Sequence, residues 1–260
     1  MSAALATQMV SADFLKLRKR RSTLAWSLLL ALGPLLIYFI VSAAQHSSNP
    51  AEHGPAGGIS GYQDALRILA VFFGPLAAIL IGADAGAGDV SAGVFRDLVV
   101  TGRSRLALFA TRVPAAIAMS WLVAVVGYAV LALGTYTLAD GSPTPDLATM
   151  TNGLGFTLLS IAVICTVAVG LSSLTASKPG ALVALIGWQL VASPIFTNIS
   201  SLGSARDLVL REAIDHFSPV QLGDHGGRVT MGGGTAVAVM AVWLIAFCSL
   251  GAWRTRTMDA

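Results

Sequence analysis

Charge is the scarcest ingredient of this 260-residue chain: only 11% of residues are Asp, Glu, Lys or Arg, against 55% hydrophobic. A soluble domain carries about 25% charged residues. With a mean hydropathy of +0.75, too little polar surface exists to clothe a water-soluble globule, and the chain reads as an integral membrane protein. Cysteine is nearly absent: Cys165 and Cys248 sit in apolar runs without CxxC spacing, which argues against a metal or redox site. No Gly-Lys pair occurs, so there is no P-loop, and the chain is expected to bind no nucleotide and to hydrolyse no ATP by itself. HExxH and GxSxG are missing too. The four histidines, His46, His53, His216 and His225, fall in polar linkers and read as solvated loop residues rather than an intramembrane catalytic set. The net charge of +3 is better explained by membrane topology than by nucleic acid, for which no motif is present.

What the chain does have is long apolar runs. Six reach the roughly 20 residues needed to cross a bilayer as a helix: 24–43, 65–83, 106–139, 153–176, 180–202 and 232–253. Strands are not expected, because alternating segments of about ten residues are absent. The predicted fold is therefore all-α, one transmembrane domain over residues 1–260. The first run reads as a retained helix, not a cleaved signal. With six spans both termini share a side. Twelve of the sixteen Lys and Arg residues fall there, and Arg67, Arg206, Arg211 and Arg228 fall on the other. The positive-inside rule then predicts cytoplasmic termini in the cell membrane.

Residues 7–22 predict an interfacial helix, with Val10, Phe14 and Leu17 on one face and Asp13, Lys16, Lys19 and Arg20 elsewhere around the wheel, suited to lying against lipid. Segment 44–64 predicts an exposed outer loop, "DGSPTPD" (140–146) a short outer turn, and "SKPG" (177–180) a tight inner one. "GADAGAG" (82–88) predicts a flexible exit from the bilayer. Within 203–231, "SARDLVLREAIDHF" predicts an outer helix capped by Ser204, with Leu210, Ile214 and Phe217 on one face, lying on or dipping into the outer leaflet. Gly33-Pro34, Gly74-Pro75 and Ser193-Pro194 fall inside spans, where proline kinks a helix. No ionisable group sits mid-span: Arg67 is near the outer end of span two, and Asp84 is at its inner end. Without a proton or sodium relay, any transport must draw its energy elsewhere.

One inner loop gathers charge: "DVSAGVFRDLVVTGRSRLALFATR" (89–112). Read as a helix from Ser91 to Val100, it places Val94, Phe95, Leu98 and Val99 on one face, with Arg96 and Asp97 elsewhere. Gly102 would stop it and Ser104 would cap the next helix. Such a face fits a groove on a soluble partner and a lipid surface equally well.

This loop resembles the cytoplasmic segment of ABC-2 type transporter permeases. Asp89 falls at the family's acid, Gly93 at its glycine, Ser104-Arg105 at its Ser-Arg pair and Arg112 at its closing base. The amino-terminal "ADFLKLRKRRSTLAW" is similar to the family's interfacial helix, with Phe14, Lys16 and Leu17 at its core. Val94 stands where Thr is usual and Gly102 where Pro is common. The resemblance implies a type V-like exporter fold and a dimer with a second copy or similar permease. It also implies a separate ATPase subunit holding ATP and Mg. Residues 90–103 would be the coupling helix, with Asp89, Val94, Phe95, Arg96, Leu98, Val99 and Arg105 serving the ATPase. Spans two and five, with span one as a further candidate, would line the path of an amphipathic or hydrophobic substrate, with Phe72, Phe73, Trp188, Gln189, Phe196 and Asn198 as path residues. The alternative is a membrane protein outside this family, a secondary transporter or a structural subunit, whose loop helix rests on lipid.

Overall fold

The computed structural model describes residues 3–94, 97, 100, 102, 104–220 and 231–258. Every regular element among them is helical. α1 (Ala3–Lys19) precedes α2 (Arg21–Ser48), α3 (Gly58–Ser91), α4 (Arg105–Thr137), α5 (Leu147–Thr175) and α6 (Lys178–Asn198). A 3₁₀ segment (Ser200–Leu208), a short α7 (Leu210–Asp215) and α8 (Gly233–Thr257) follow. Six of these, α2 to α6 and α8, are long and apolar enough to cross a membrane. The chain is an all-helical, multi-pass membrane protein.

Local chemistry sets several starts. Ser104 accepts from Ala107 N at 3.2 Å, as its capping position predicts; Asp146 accepts from Thr149 N at 2.9 Å, and Ser177 from Gly180 N at 3.2 Å. Pro179 fits the first turn of α6, where a missing N–H costs nothing.

α3 and α5 form the centre: 67% of the residues in their most apolar windows are buried, against 22% in α2 and α8. The outer helices turn Leu29, Ile37 and Ile40 (α2) and Val242 and Ile245 (α8) outward. Such apolar faces suit hydrocarbon, where Leu and lipid tails are equally apolar and close packing, not hydrophobicity, must hold helices together.

That requirement overturns the reading of "GADAGAG" as a flexible exit. α3 continues as helix through Ser91, and Gly82, Gly86 and Gly88 are buried inside it. A Cβ on Gly82 would lie 2.7 Å from both Ala168 Cβ and Cys165 O, so the missing side chain lets α3 press on the α5 backbone. Hydroxyls from α5 stitch the contact: Ser172 donates to Gly82 O at 3.4 Å and Ser173 to Gly86 O at 3.3 Å. α5 meets α8 likewise through Gly170 and Gly251, where a Cβ on Gly251 would be 2.7 Å from Gly170 O.

The linkers also depart from expectation. Segment 44–64 is no free loop: α2 runs to Ser48, α3 begins at Gly58, and Gly57 donates to Leu138 O at 2.8 Å. His46, in the last turn of α2, places Nδ1 2.7 Å from His53 O and Nε2 3.0 Å from Asp140. The histidine thus clips two linkers together. The predicted helix 204–217 is broken at Val209 into the 3₁₀ segment and α7. Trp243 Nε1 donates to Leu208 O at 2.9 Å. Trp243 lies ten residues into α8, about 15 Å along it. The segment after α6 therefore dips deep between the helices, with Leu210, Ala213 and Ile214 buried.

Candidate functional site

The predicted loop helix does not begin at Ser91. Ser91 is the last residue of α3, and Gly93 N donates to Val90 O (3.0 Å) while Val94 N donates to Asp89 O (3.0 Å). These two bonds form a Schellman cap, which needs the left-handed backbone Gly93 adopts at φ +70°. Gly93 thus closes α3. Val94, Asp97 and Val100 are exposed, with Asp97 and Val100 helical, and Gly102 is left-handed at φ +79°. Phe95, Arg96, Leu98 and Val99 lie outside the described residues.

At the root of this loop sits a buried ion cluster. Asp84 accepts from Arg20 Nη1 at 2.7 Å, Lys178 Nζ at 2.8 Å and Thr23 Oγ1 at 3.1 Å. Asp89 meets Lys16 Nζ at 2.5 Å and Arg112 Nη2 at 3.0 Å, with Arg20 Nη2 at 3.9 Å. Arg112 Nη1 also donates to Gly86 O at 3.2 Å. Asp84, Asp89 and Arg112 are each only 3% exposed. Taking such charges from water is costly, and it is offset here because each carboxylate has at least two cationic partners. Gly88 makes room for the arrangement: a Cβ there would press against the Arg20 guanidinium. Beside them Asp13 accepts from Thr111 Oγ1 at 2.8 Å. Burial pushes its carboxyl above the usual carboxylate value, against the lowering pull of Thr111, Lys16 and Arg112.

This geometry corrects three readings. Asp13, Lys16 and Arg20 do not merely occupy the wheel outside α1's apolar face; they turn into the protein, and Met9 and Leu17 pack beside them. Phe14 is half-buried against the same core. Asp89 is not a loop-surface group able to touch a partner: it sits inside α3, sealed by Lys16 and Arg112. Lys16, Arg20, Arg112 and Lys178, counted above as topological charge, are also structural. Arg105 reaches sideways, donating to Met258 O and to Arg256 O (3.3 Å), which ties the start of α4 to the end of α8.

The expected path residues gather only in part. Trp188 and Gln189 line a crevice of about 310 Å³, mouth included, walled by Ile79, Leu185, Leu210 and Trp243. Rings run Phe196–Trp188–Trp243–Phe247 at centroid spacings of 5.7, 5.7 and 5.4 Å. Phe72 lies under the Arg211 guanidinium at 5.2 Å, and Phe73 is half-buried nearby in sequence. Asn198 stands apart, its amide turned back on Pro194 O at 2.8 Å. Sequence reading missed Trp243 and Arg211. The i, i+4 spacing of Trp243 and Phe247 was a visible signal, whereas nothing local showed that Arg211 would fold back onto Phe72.

No protein-family model matches the chain, and no curated protein does.

Proposed function

We propose that this chain is the permease subunit of an ATP-driven exporter of the ABC-2 type, set in the cell membrane with both termini in the cytoplasm. It works as a dimer with a second copy or a similar permease. It binds no nucleotide; ATP and magnesium sit on a separate ATPase subunit, which grips the 90–103 loop. The observation that supports this reading best is the ion cluster. Asp89 near the end of α3 and Arg112 near the start of α4 bridge the two roots of the loop at 3.0 Å. Lys16, Arg20 and Lys178 extend that bridge to α1, α2 and α6. A push on the loop therefore moves the ends of several helices together instead of being lost in a slack hinge. The aromatic crevice between α6 and α8 favours an amphipathic or hydrophobic cargo, since its walls are apolar around the single Gln189 amide.

Replacing Phe95 and Leu98 with Asp in the full chain tests the assignment. Insertion should persist while co-purification of the ATPase subunit and ATP-driven export are both lost. An ATPase that stays bound and active in this variant would overturn the assignment of 90–103 as the coupling segment, whereas failure of the unaltered chain to co-purify with any ATPase would return it to the non-ABC reading.

A further inference from the structure

α3 and α6 are each broken midway, and the two breaks are joined. In α3 the turn widens over Arg67–Phe73, directly before Gly74-Pro75; in α6 it widens over Trp188–Ala192, directly before Ser193-Pro194. Gly74 N donates five residues back to Leu69 O, and Ser193 N five back to Trp188 O. Such wide turns are uncommon and concentrate where helices must deform.

The backbone consequence in α3 is specific. Because Gly74 N goes to Leu69 O, Ala70 O loses its ordinary donor. Because residue 75 is proline, Val71 O loses its donor as well. Both residues are buried, at 0% and 4% exposure, where an unpaired carbonyl is costly. Each receives a side chain from another helix. Ser160 Oγ of α5 donates to Ala70 O at 2.9 Å, and Gln189 Nε2 of α6 donates to Val71 O at 3.4 Å. Gln189 lies inside the wide turn of α6, so one break repairs the other. The α6 break is itself left incomplete: the Ser193 hydroxyl is fully buried and has no hydrogen-bond partner among the described residues.

We infer that Gln189 couples the two breaks, so that α3 and α6 bend and straighten as one. Relieving either wide turn rotates the helix beyond it by about 100° per residue of register. That separates Gln189 from Val71 O and leaves α3 with a bare carbonyl unless α3 changes too. The Ser160 bond is shorter and anchors α3 to the central helix, whereas the longer Gln189 bond is the one that breaks and reforms. The unpaired Ser193 hydroxyl is a cost of the observed arrangement. This coupling does not depend on the cargo or the ATPase.

The test is hydrogen–deuterium exchange on the full-length protein in lipid nanodiscs. Gln189→Leu keeps the volume and removes the donor. Exchange should rise several-fold in residues 67–74 of α3 as well as in 188–193 of α6. Pro75→Ala restores an N–H that can serve Val71 O, so adding Q189L to P75A should leave residues 67–74 nearly unchanged. An effect of Q189L confined to 188–193, or one undiminished in the P75A background, overturns the coupling. If Q189L alone does not fold, recovery of a cooperative thermal transition in P75A/Q189L supports the inference, and failure to recover it overturns the inference.

Discussion

Single glycines and single charges carry much of the packing. Gly82 has no room for a methyl group against Cys165 O and Ala168, whereas Gly187 in α6 has nothing within 4 Å of a built Cβ. Gly82→Ala should destabilise by about 1–3 kcal/mol through overpacking, and Gly187→Ala should stabilise by about 0.5–1 kcal/mol through helix propensity. Thermal melts of the two variants in one detergent would show the opposite signs. The ion cluster obeys a different rule, because removing one partner strands the others. Asp89→Asn leaves Lys16 and Arg112 facing a neutral amide at a site 3% exposed, with an expected loss of about 3–5 kcal/mol. Adding Arg112→Met should recover part of it. A denaturation series on both single variants and the double variant checks this, and a double variant whose loss equals the sum of the two single losses would show that the pair acts independently.

At the level of elements, α1 is a brace. Its Lys16 bonds Asp89 and its Leu17 is 6% exposed in the core, so it holds the root of the 92–104 loop from outside the spans. Undocking it with Lys16→Ala and Leu17→Asp should speed tryptic cleavage at Arg96, Arg103 and Arg105 several-fold. An unchanged cleavage rate would mean that the Asp89–Arg112 bridge alone steadies the loop. At the opposite end of the helices buried hydroxyls add to the His46–Asp140 clip: Tyr62 Oη donates to Thr149 O at 3.0 Å and meets Tyr128 Oη at 3.1 Å, while Tyr128 Oη donates to Met150 O at 2.5 Å. A buried ion cluster at one end and buried hydroxyls at the other leave the middle to the two wide turns, the places where α3 and α6 depart from a regular helical ladder.

Across the whole molecule, the ends of the bundle differ in charge and in reach. The linker holding Glu52 and the segment holding Asp97 are both exposed and lie at opposite ends. In a Cys248→Ala background, with Cys165 fully buried, Glu52→Cys should react with a membrane-impermeant maleimide added outside intact cells. Asp97→Cys should react only after permeabilisation. The reverse pattern would invert the orientation drawn from the Lys and Arg count.

Composition and run length by themselves determined a six-span helical membrane protein, because a bilayer admits few other solutions for so apolar a chain. Ser104 and Gly102 were legible for a local reason: caps and left-handed turns depend on neighbours a few residues away. What only the tertiary structure decided are the long-range pairings. Asp84 is 64 residues from Arg20 and 94 from Lys178, so nothing local marks it as the hub of a buried cluster rather than the edge of a flexible exit. The glycines of "GADAGAG" are ambiguous in sequence, because the absent side chain that permits flexibility also permits close approach, and only the neighbour, α5, selects between them. Gln189 reads as one of two amides in an apolar span until the fold brings it, across 118 positions, to the carbonyl that Pro75 leaves bare.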